Sequence, residues 1–159
     1  MASAGLGAVE GRRFLSHMRS VSHTLVLQTT GRGLLSLTDA VKDWVATATA
    51  GGAATGLLTL FCRHTSASLL VQENADPEVL ADLDRFFARL VPDGDPLFRH
   101  TAEGPDDMPA HVRAALTQTH LCIPVVRGQL SLGTWQGVYL FEHRRRPHRR
   151  EVVLQYLGS

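Results

Sequence analysis

The chain has 159 residues, 44% of them hydrophobic, which is typical of one compact domain with its own core. Sixteen basic and fifteen acidic residues give a formal net charge of +1, so no overall field attracts the chain to nucleic acid or to an anionic membrane. Cys62 and Cys122 are isolated in apolar segments, which favours a cytoplasmic chain with buried thiols over a disulfide scaffold.

Residues 1–19 predict a flexible leader. Glu10 and several glycines interrupt every apolar run in this stretch, so it has the pattern of neither a signal peptide nor a membrane span. We therefore expect the folded domain to occupy residues 20–159.

The first half of the domain alternates between strand and helix patterns. Residues 37–50 carry apolar side chains at helical spacing, with Thr38 or Asp39 as the cap. A bend near Thr65 separates two neighbouring strands. The strands predicted here from apolar and β-branched runs are 23–30, 56–64 and 66–73.

The second half predicts two helices followed by three strands. Asp76 is placed to cap the first helix, Pro77 fits its first turn, and Pro92 ends it. A shorter helix runs from Met108 to Gln118. The strands that follow are 120–126, 133–143 and 150–158. Strands in adjacent pairs, with about three helices, predict an α+β domain with a largely antiparallel sheet.

Three segments carry a family resemblance, in the order HTSASLLVQENADP, RHTAEGPDDMPAH and LGTWQGVYLFEHR. From about His23 to the C-terminus the chain resembles the YjbQ family, also called UPF0047 or the secondary thiamine-phosphate synthase enzyme family. The resemblance implies a small α+β domain, assembly as a trimer, a histidine-lined site able to hold a metal, and a weak ability to make thiamine phosphate.

Histidines supply the candidate metal ligands. His100 and His111 bracket a turn-rich segment, and a fold that adds His64 or His143 would give three imidazoles and one open position, as in catalytic zinc sites. Histidines hydrogen-bonded in a loop and on a helix would leave the same pattern. With the resemblance, we predict His100, His111 and His143 as ligands of a divalent metal, and His64 as a catalytic residue beside them. Zn²⁺ is the expected ion, with Mg²⁺ an alternative if the substrate is a diphosphate.

Three carboxylates, Glu103, Asp106 and Asp107, lie between the two histidines. One of them is expected to cap the helix that follows, and the other two could orient ligands or act as a general base. We predict that Asp107 is the cap and that Glu103 is the catalytic carboxylate, because Gly104 and Pro105 fix the loop around it.

Polar residues in the other two segments are candidate substrate contacts. Asn74 lies where a strand gives way to a helix, a place where asparagine is also an ordinary turn former. Thr134 and Gln136 flank Trp135 between two glycines and could line a pocket. Arg144 could bind phosphate with its planar guanidinium, while Arg145, Arg146, Arg149 and Arg150 are expected to be solvated and dispensable.

Two functions of different classes follow. The first is a metal-assisted transferase of the thiamine-phosphate-synthase type, joining a pyrimidine methyl diphosphate to a thiazole phosphate. The alternative is a non-enzymatic trimeric protein that binds a metal or a small phosphorylated metabolite. In both cases we expect a cytoplasmic homotrimer without membrane or nucleic-acid partners, with a sheet edge and the apolar strand Val138 to Phe141 at the subunit contact.

Overall fold

The computed structural model describes residues 18–50 and 52–159. The predicted leader lies outside the described residues up to position 17, and the first strand already begins at Arg19. The elements, in chain order, are β1 Arg19–Gln28, β2 Gly33–Ser36, α1 Thr38–Ala48, β3 Gly56–Cys62, β4 Ala67–Glu73, α2 Pro77–Leu90, α3 Asp107–Leu116, β5 His120–Val126, β6 Gln129–Leu130, β7 Gln136–Glu142 and β8 Arg149–Gly158.

The strands form two sheets, and every strand pair is antiparallel. The larger sheet has the order β1-β8-β3-β5-β6, and the smaller sheet has the order β2-β7-β4. The α+β class, the antiparallel pairing and the three helices confirm the prediction from sequence.

The core lies between the two sheets. Residues alternate along β3, so that Leu58 and Leu60 are fully buried while Leu57 and Phe61 point outward. Leu140 of β7 belongs to the same buried cluster, and α1 contributes Val41 and Val45. The apolar spacing of α1 therefore buries one face of that helix, as its sequence predicted.

Helices α2 and α3 lie near the smaller sheet. Phe87 of α2 meets Phe141 of β7 edge to face, with ring centroids 5.6 Å apart. Asp76 accepts a hydrogen bond from the Glu78 N–H at 2.9 Å, which confirms the predicted cap of α2. α3 begins at Asp107, so the chain enters this helix directly from the segment that holds the candidate histidines.

Two expectations about surfaces are wrong. Val138 to Phe141 were expected at a subunit contact, but they form part of the central strand of the smaller sheet and are at most 5% exposed. Cys122 was expected to be buried, but it points away from the core on β5, and both Cys62 and Cys122 are free thiols. None of the three described helices is long and apolar enough to cross a membrane.

Candidate metal centre

The first turn of α3 and the loop before it bring together two imidazoles and a carboxylate. Asp107 and His111 are four residues apart, so their side chains lie on one face of the helix. Asp107 Oδ2 is 3.6 Å from His111 Nε2 and 2.9 Å from His100 Nε2. One ligand atom from each of the three residues lies within 4.8 Å of the others, which is close enough to share one metal ion.

Asp107 is the buried member of this cluster, with 2% of its surface exposed. Its Oδ1 accepts a hydrogen bond from Arg144 Nη1, but its Oδ2 has no hydrogen-bond partner among the described residues. His100 Nε2 is near Oδ2 without the alignment of a hydrogen bond. Because a buried carboxylate oxygen without a partner is costly, Oδ2 is suited to bind a cation.

His111 is held in the orientation that a metal ligand needs. Its Nδ1 lies 2.9 Å from the carbonyl oxygen of Thr65. Because a carbonyl oxygen can only accept, Nδ1 must carry the proton, and Nε2 of the neutral ring is left with a lone pair facing Asp107. A second ring nitrogen fixed by a backbone carbonyl is the usual support for a metal-bound histidine.

Arg144 holds the acidic loop in place. Besides Asp107, it donates from Nε to Asp106 at 3.2 Å and from Nη2 to the Glu103 carbonyl at 2.8 Å. Burial alone would lower the pKa of Arg144, but the hydrogen bond and charge of Asp106 outweigh it and the pKa is raised. The guanidinium N–H groups thus bond to the acidic loop, so the expectation that Arg144 has free donors for phosphate is wrong.

The pKa of Asp106 shows the same balance. Burial alone would raise it, but hydrogen bonds from the Arg145 N–H and from the Arg144 side chain lower it. Asp106 and Arg144 therefore stay charged at neutral pH, as a fixed ion pair beside the cluster.

Two spacings in the cluster are close to those of tetrahedral coordination. Zinc bonds to nitrogen and oxygen are about 2.0–2.1 Å long, so neighbouring ligand atoms of a tetrahedral site lie about 3.3 Å apart. The two distances measured to Asp107 Oδ2, 2.9 and 3.6 Å, are on either side of that value. The side chains of His100 and His111 are 52% and 31% exposed, so a small molecule can reach them.

His143, expected as the third imidazole, lies elsewhere. It is fully buried just after β7, with its ring centroid 4.3 Å from that of Phe141 and its Nε2 2.9 Å from Ser68 Oγ. Burial, together with the positive charge of Arg113, lowers the pKa of His143 to about 3. Strand alternation places residues two apart on one face, so His143 follows Phe141 into the packing beneath α2.

The predicted cap of α3 is wrong, whereas a catalytic role for Glu103 stays a prediction. Glu103 has a side chain that is 71% exposed and lies 3.5 Å from Arg144 Nη1. Asp107 makes no cap, because it is the first helical residue and Asp106 holds the N-cap position, without a side-chain cap bond. The four-residue spacing of Asp107 and His111 was the pattern in the sequence that could have identified Asp107 as the acidic member of the cluster.

His64 lies outside the cluster of His100, Asp107 and His111. Its Nε2 accepts a hydrogen bond from the Glu151 N–H at 2.7 Å. Burial, together with the positive charge of Arg150, lowers the pKa of His64. The next residue, Thr65, supplies the carbonyl that orients His111. A catalytic role for His64 stays a prediction.

Three of the four residues predicted to contact substrate lie at the other end of the smaller sheet, away from the cluster. Glu73 pairs with Gln136, whereas Ala67 pairs with Glu142 six residues away, which is about 20 Å along a strand. Asn74 donates to the Gln136 carbonyl at 3.3 Å, and Gln136 accepts from the Gly133 N–H. Within one chain, Asn74 and Thr134 are therefore turn residues, Gln136 is the first residue of β7, and all three are remote from the cluster.

The arginine-rich loop is solvated only in part. Arg146 and Arg149 are exposed, but Arg150 is 4% exposed and donates from Nε to Glu142 Oε2 at 2.7 Å. Arg150 Nη2 also donates to Ser66 Oγ at 3.1 Å. The expectation that all four arginines are solvated is wrong for Arg150, because its position in β8 turns the side chain inward.

The chain is similar to proteins of one family along most of its length. The family model described as UPF0047 protein YjbQ-like matches residues 23–159. A UPF0047 protein of Synechocystis sp. is 53% identical over 141 residues, which cover 89% of this chain and 94% of that protein. The UPF0047 protein YjbQ of Escherichia coli O157:H7 is 41% identical over 136 residues, or 86% of this chain and 96% of that protein.

The fold is also similar to that of solved structures. A crystal structure from Sulfolobus solfataricus P2, described as a YbjQ-like protein of unknown function, has a TM-score of 0.81. The match covers 90% of this chain and all of the other, at 22% sequence identity. At that identity the likeness bears on the fold alone.

These findings correct the functional prediction. A transferase of the thiamine-phosphate-synthase type was expected, but the family model and the relatives carry a UPF0047 designation without an activity, and the solved protein is described as of unknown function. The prediction of that activity is therefore wrong. The match of residues 23–159 and the identities of 53% and 41% show that the chain belongs to the YjbQ-like UPF0047 family.

Proposed function

We propose that this chain binds one divalent transition-metal ion through His100, Asp107 and His111. The observation that carries the proposal is Asp107 Oδ2, which is buried without a hydrogen-bond partner among the described residues and faces two imidazole nitrogens. A cation at that point would neutralise the carboxylate and accept the lone pairs of both rings.

The donor set indicates which ions fit. Two imidazoles and one carboxylate suit Zn²⁺ and its first-row neighbours, whereas Mg²⁺ prefers oxygen ligands throughout. Zn²⁺ is therefore the expected ion, and the Mg²⁺ alternative is disfavoured. Three protein ligands leave a position open for water or a small ligand, at which a bound metal supplies Lewis acidity.

Metal content per subunit tests the proposal. Protein purified without added ions should contain close to one transition-metal ion per chain. His100→Ala, His111→Ala and Asp107→Asn should each lower that occupancy strongly, because two remaining ligands hold a metal poorly. The matched control is His120→Ala, which removes an exposed histidine on β5.

The outcomes separate the proposal from its alternatives. Full occupancy in the three cluster variants, or loss in His120→Ala alone, would show that the ligands are assigned wrongly. Thermal melting of each variant separates the loss of a ligand from the loss of the fold.

We also propose that the chain assembles as a homotrimer. The number of subunits rests on the family resemblance, and the outer face of the larger sheet supports a subunit contact. On that face Phe61 pairs with Val153, and Leu57 pairs with Leu157 and Pro124. Leu57, Phe61 and Leu157 are 41–49% exposed, so they form an apolar surface that a second copy could cover.

A further inference from the structure

A cavity of about 330 Å³ opens beside His100. The loop before α3 supplies Pro96, Phe98 and Pro105 to its wall, and the first turn of α3 supplies Met108 and Pro109. Because His100 lines the cavity and also belongs to the metal cluster, a molecule held there could reach a metal bound by the cluster. The volume is at the lower end of the range for small-molecule sites.

The charges around this cavity disfavour an anion. No lysine or arginine belongs to its wall, among the residues that the structure describes. Asp95 lies in the wall, while the carboxylates of Glu103, Asp106 and Asp107 are close by and all three contact Arg144. A second cation, the exposed Arg99, lies between Phe98 and His100 in the chain. Even with a divalent ion in place, these formal charges do not sum to a positive value, so the cavity offers a phosphate group no net attraction.

We infer that the cavity takes a small uncharged molecule with an apolar ring, which lies against Phe98 and Met108 and directs one heteroatom towards the metal. This inference replaces the phosphorylated metabolite expected from sequence, and it rests on the proposed metal site. Aromatic and proline side chains offer an apolar surface on which a ring can be buried, and the methionine sulfur can contact the ring. The open position of the metal selects a nitrogen or oxygen donor.

The test compares ligands that share one donor. Zn²⁺-loaded protein is titrated in a calorimeter with imidazole, with 4-phenylimidazole and with inorganic phosphate. The phenyl group should raise affinity roughly tenfold or more, since burying a ring removes apolar area from water. Phosphate should bind more weakly than imidazole because of the surrounding carboxylates.

Substitutions in the cavity wall test whether the phenyl group binds there. Phe98→Ala and Met108→Ala should each reduce the advantage of 4-phenylimidazole over imidazole while leaving Zn²⁺ affinity unchanged. Phe86→Ala, at an exposed phenylalanine of α2 outside the cavity wall, should leave the advantage intact. If one of the two wall variants fails to fold, the other still measures the contribution of the cavity wall to ligand affinity.

The failures are distinguishable. If Zn²⁺ binds but both imidazoles bind equally, or if phosphate binds most tightly, the inferred ligand class is overturned and the metal site stands. If Zn²⁺ does not bind, the proposed function is overturned and this inference falls with it.

Discussion

Glu142 and Arg150 form an ion pair in the interior, next to the end of the smaller sheet. Their side chains are 1% and 5% exposed, and Thr29 Oγ1 donates to Glu142 Oε2 at 2.9 Å. Burial alone would raise the pKa of Glu142, but the hydrogen bonds from Arg150 and from the Arg144 N–H lower it. The pair stays ionised, so the loss of either partner would leave an unpaired charge in the interior.

Removal of one partner should be strongly destabilising. Arg150→Gln leaves Glu142 buried without a counter-ion and should lower the free energy of unfolding by about 3–5 kcal/mol in urea titrations. Arg149→Gln is the control, because Arg149 is 57% exposed and its pair with Glu151 should contribute about 0–1 kcal/mol. Equal effects of the two substitutions would refute the buried-pair interpretation.

Single residues were predictable where local chemistry determined them. His100 and His111 were predicted to lie together, and they do, because their loop and helix are neighbours in the chain. The position of Asp107 and of the Glu103 backbone depends on Arg144, which follows β7 by two residues and donates hydrogen bonds to the acidic loop. The burial of His143 depended on the packing of α2, which a strand pattern alone does not reveal.

At the scale of elements, the stability of α2 depends more on the capping of its ends than on the burial of its side chains. None of its residues is fully buried, and Leu90 is 54% exposed. Its start is well defined, with Asp76 as N-cap and Pro77 in the first turn. A helix with so little buried surface gains little free energy from packing, so the cap contributes a measurable share of its stability.

The cap of α2 can be tested directly. Asp76→Ala removes the hydrogen bond to the Glu78 N–H and should lower the free energy of unfolding by about 1 kcal/mol. Asp82→Ala is the control, since among the described residues that exposed aspartate pairs only with exposed Arg85, and its loss should change stability by about 0.5 kcal/mol or less. Denaturation in urea measures both, and a larger effect of Asp82→Ala would contradict the cap assignment.

Long elements were predicted better than short ones. β5 has the predicted bounds, and α2 begins where its cap and proline predicted. The short strands β2 and β6 were missed, since four and two residues carry no periodicity of their own and form strands by pairing with β7 and β5. The division into two sheets was also missed, because no single segment of the sequence indicates which distant strand it pairs with.

At the scale of the molecule, the outer face of the larger sheet predicts self-association. Light scattering at micromolar concentration should give the mass of three chains. Phe61→Asp should shift the mass towards one chain, because a charge in an apolar contact is costly to desolvate. Phe86→Asp, at a similarly exposed phenylalanine on α2, should leave the trimer intact. A monomer mass for the unaltered chain would end the trimer proposal.

The stability of the domain should fall in mild acid. The folded pKa of His143 is lowered from 6.5 to about 3, and that of His64 is also lowered, so the unfolded chain binds more protons below pH 6.5. This stabilisation is complete above pH 6.5 and is lost as pH falls towards 3. For His143 alone the loss should reach about 2 kcal/mol by pH 5.

Unfolding in urea between pH 7.5 and pH 5, with a chelator present, measures this dependence. The window stays above 4.5, the unfolded value for Glu142, so it isolates the histidines. His143→Gln should flatten the slope whatever its effect on absolute stability. An unchanged slope in that variant would show that His143 does not carry the dependence.

Asp107 gives the most direct test of the metal site. Metal-free protein is titrated with Zn²⁺ in a calorimeter, beside Asp107→Asn, which keeps the size of the side chain and removes its charge. One ion per chain should bind to the unaltered protein, and Asp107→Asn should weaken the affinity by roughly 10- to 100-fold or more. Equal affinity in the two proteins, or no binding to either, would contradict the proposal that Asp107 holds a metal with His100 and His111.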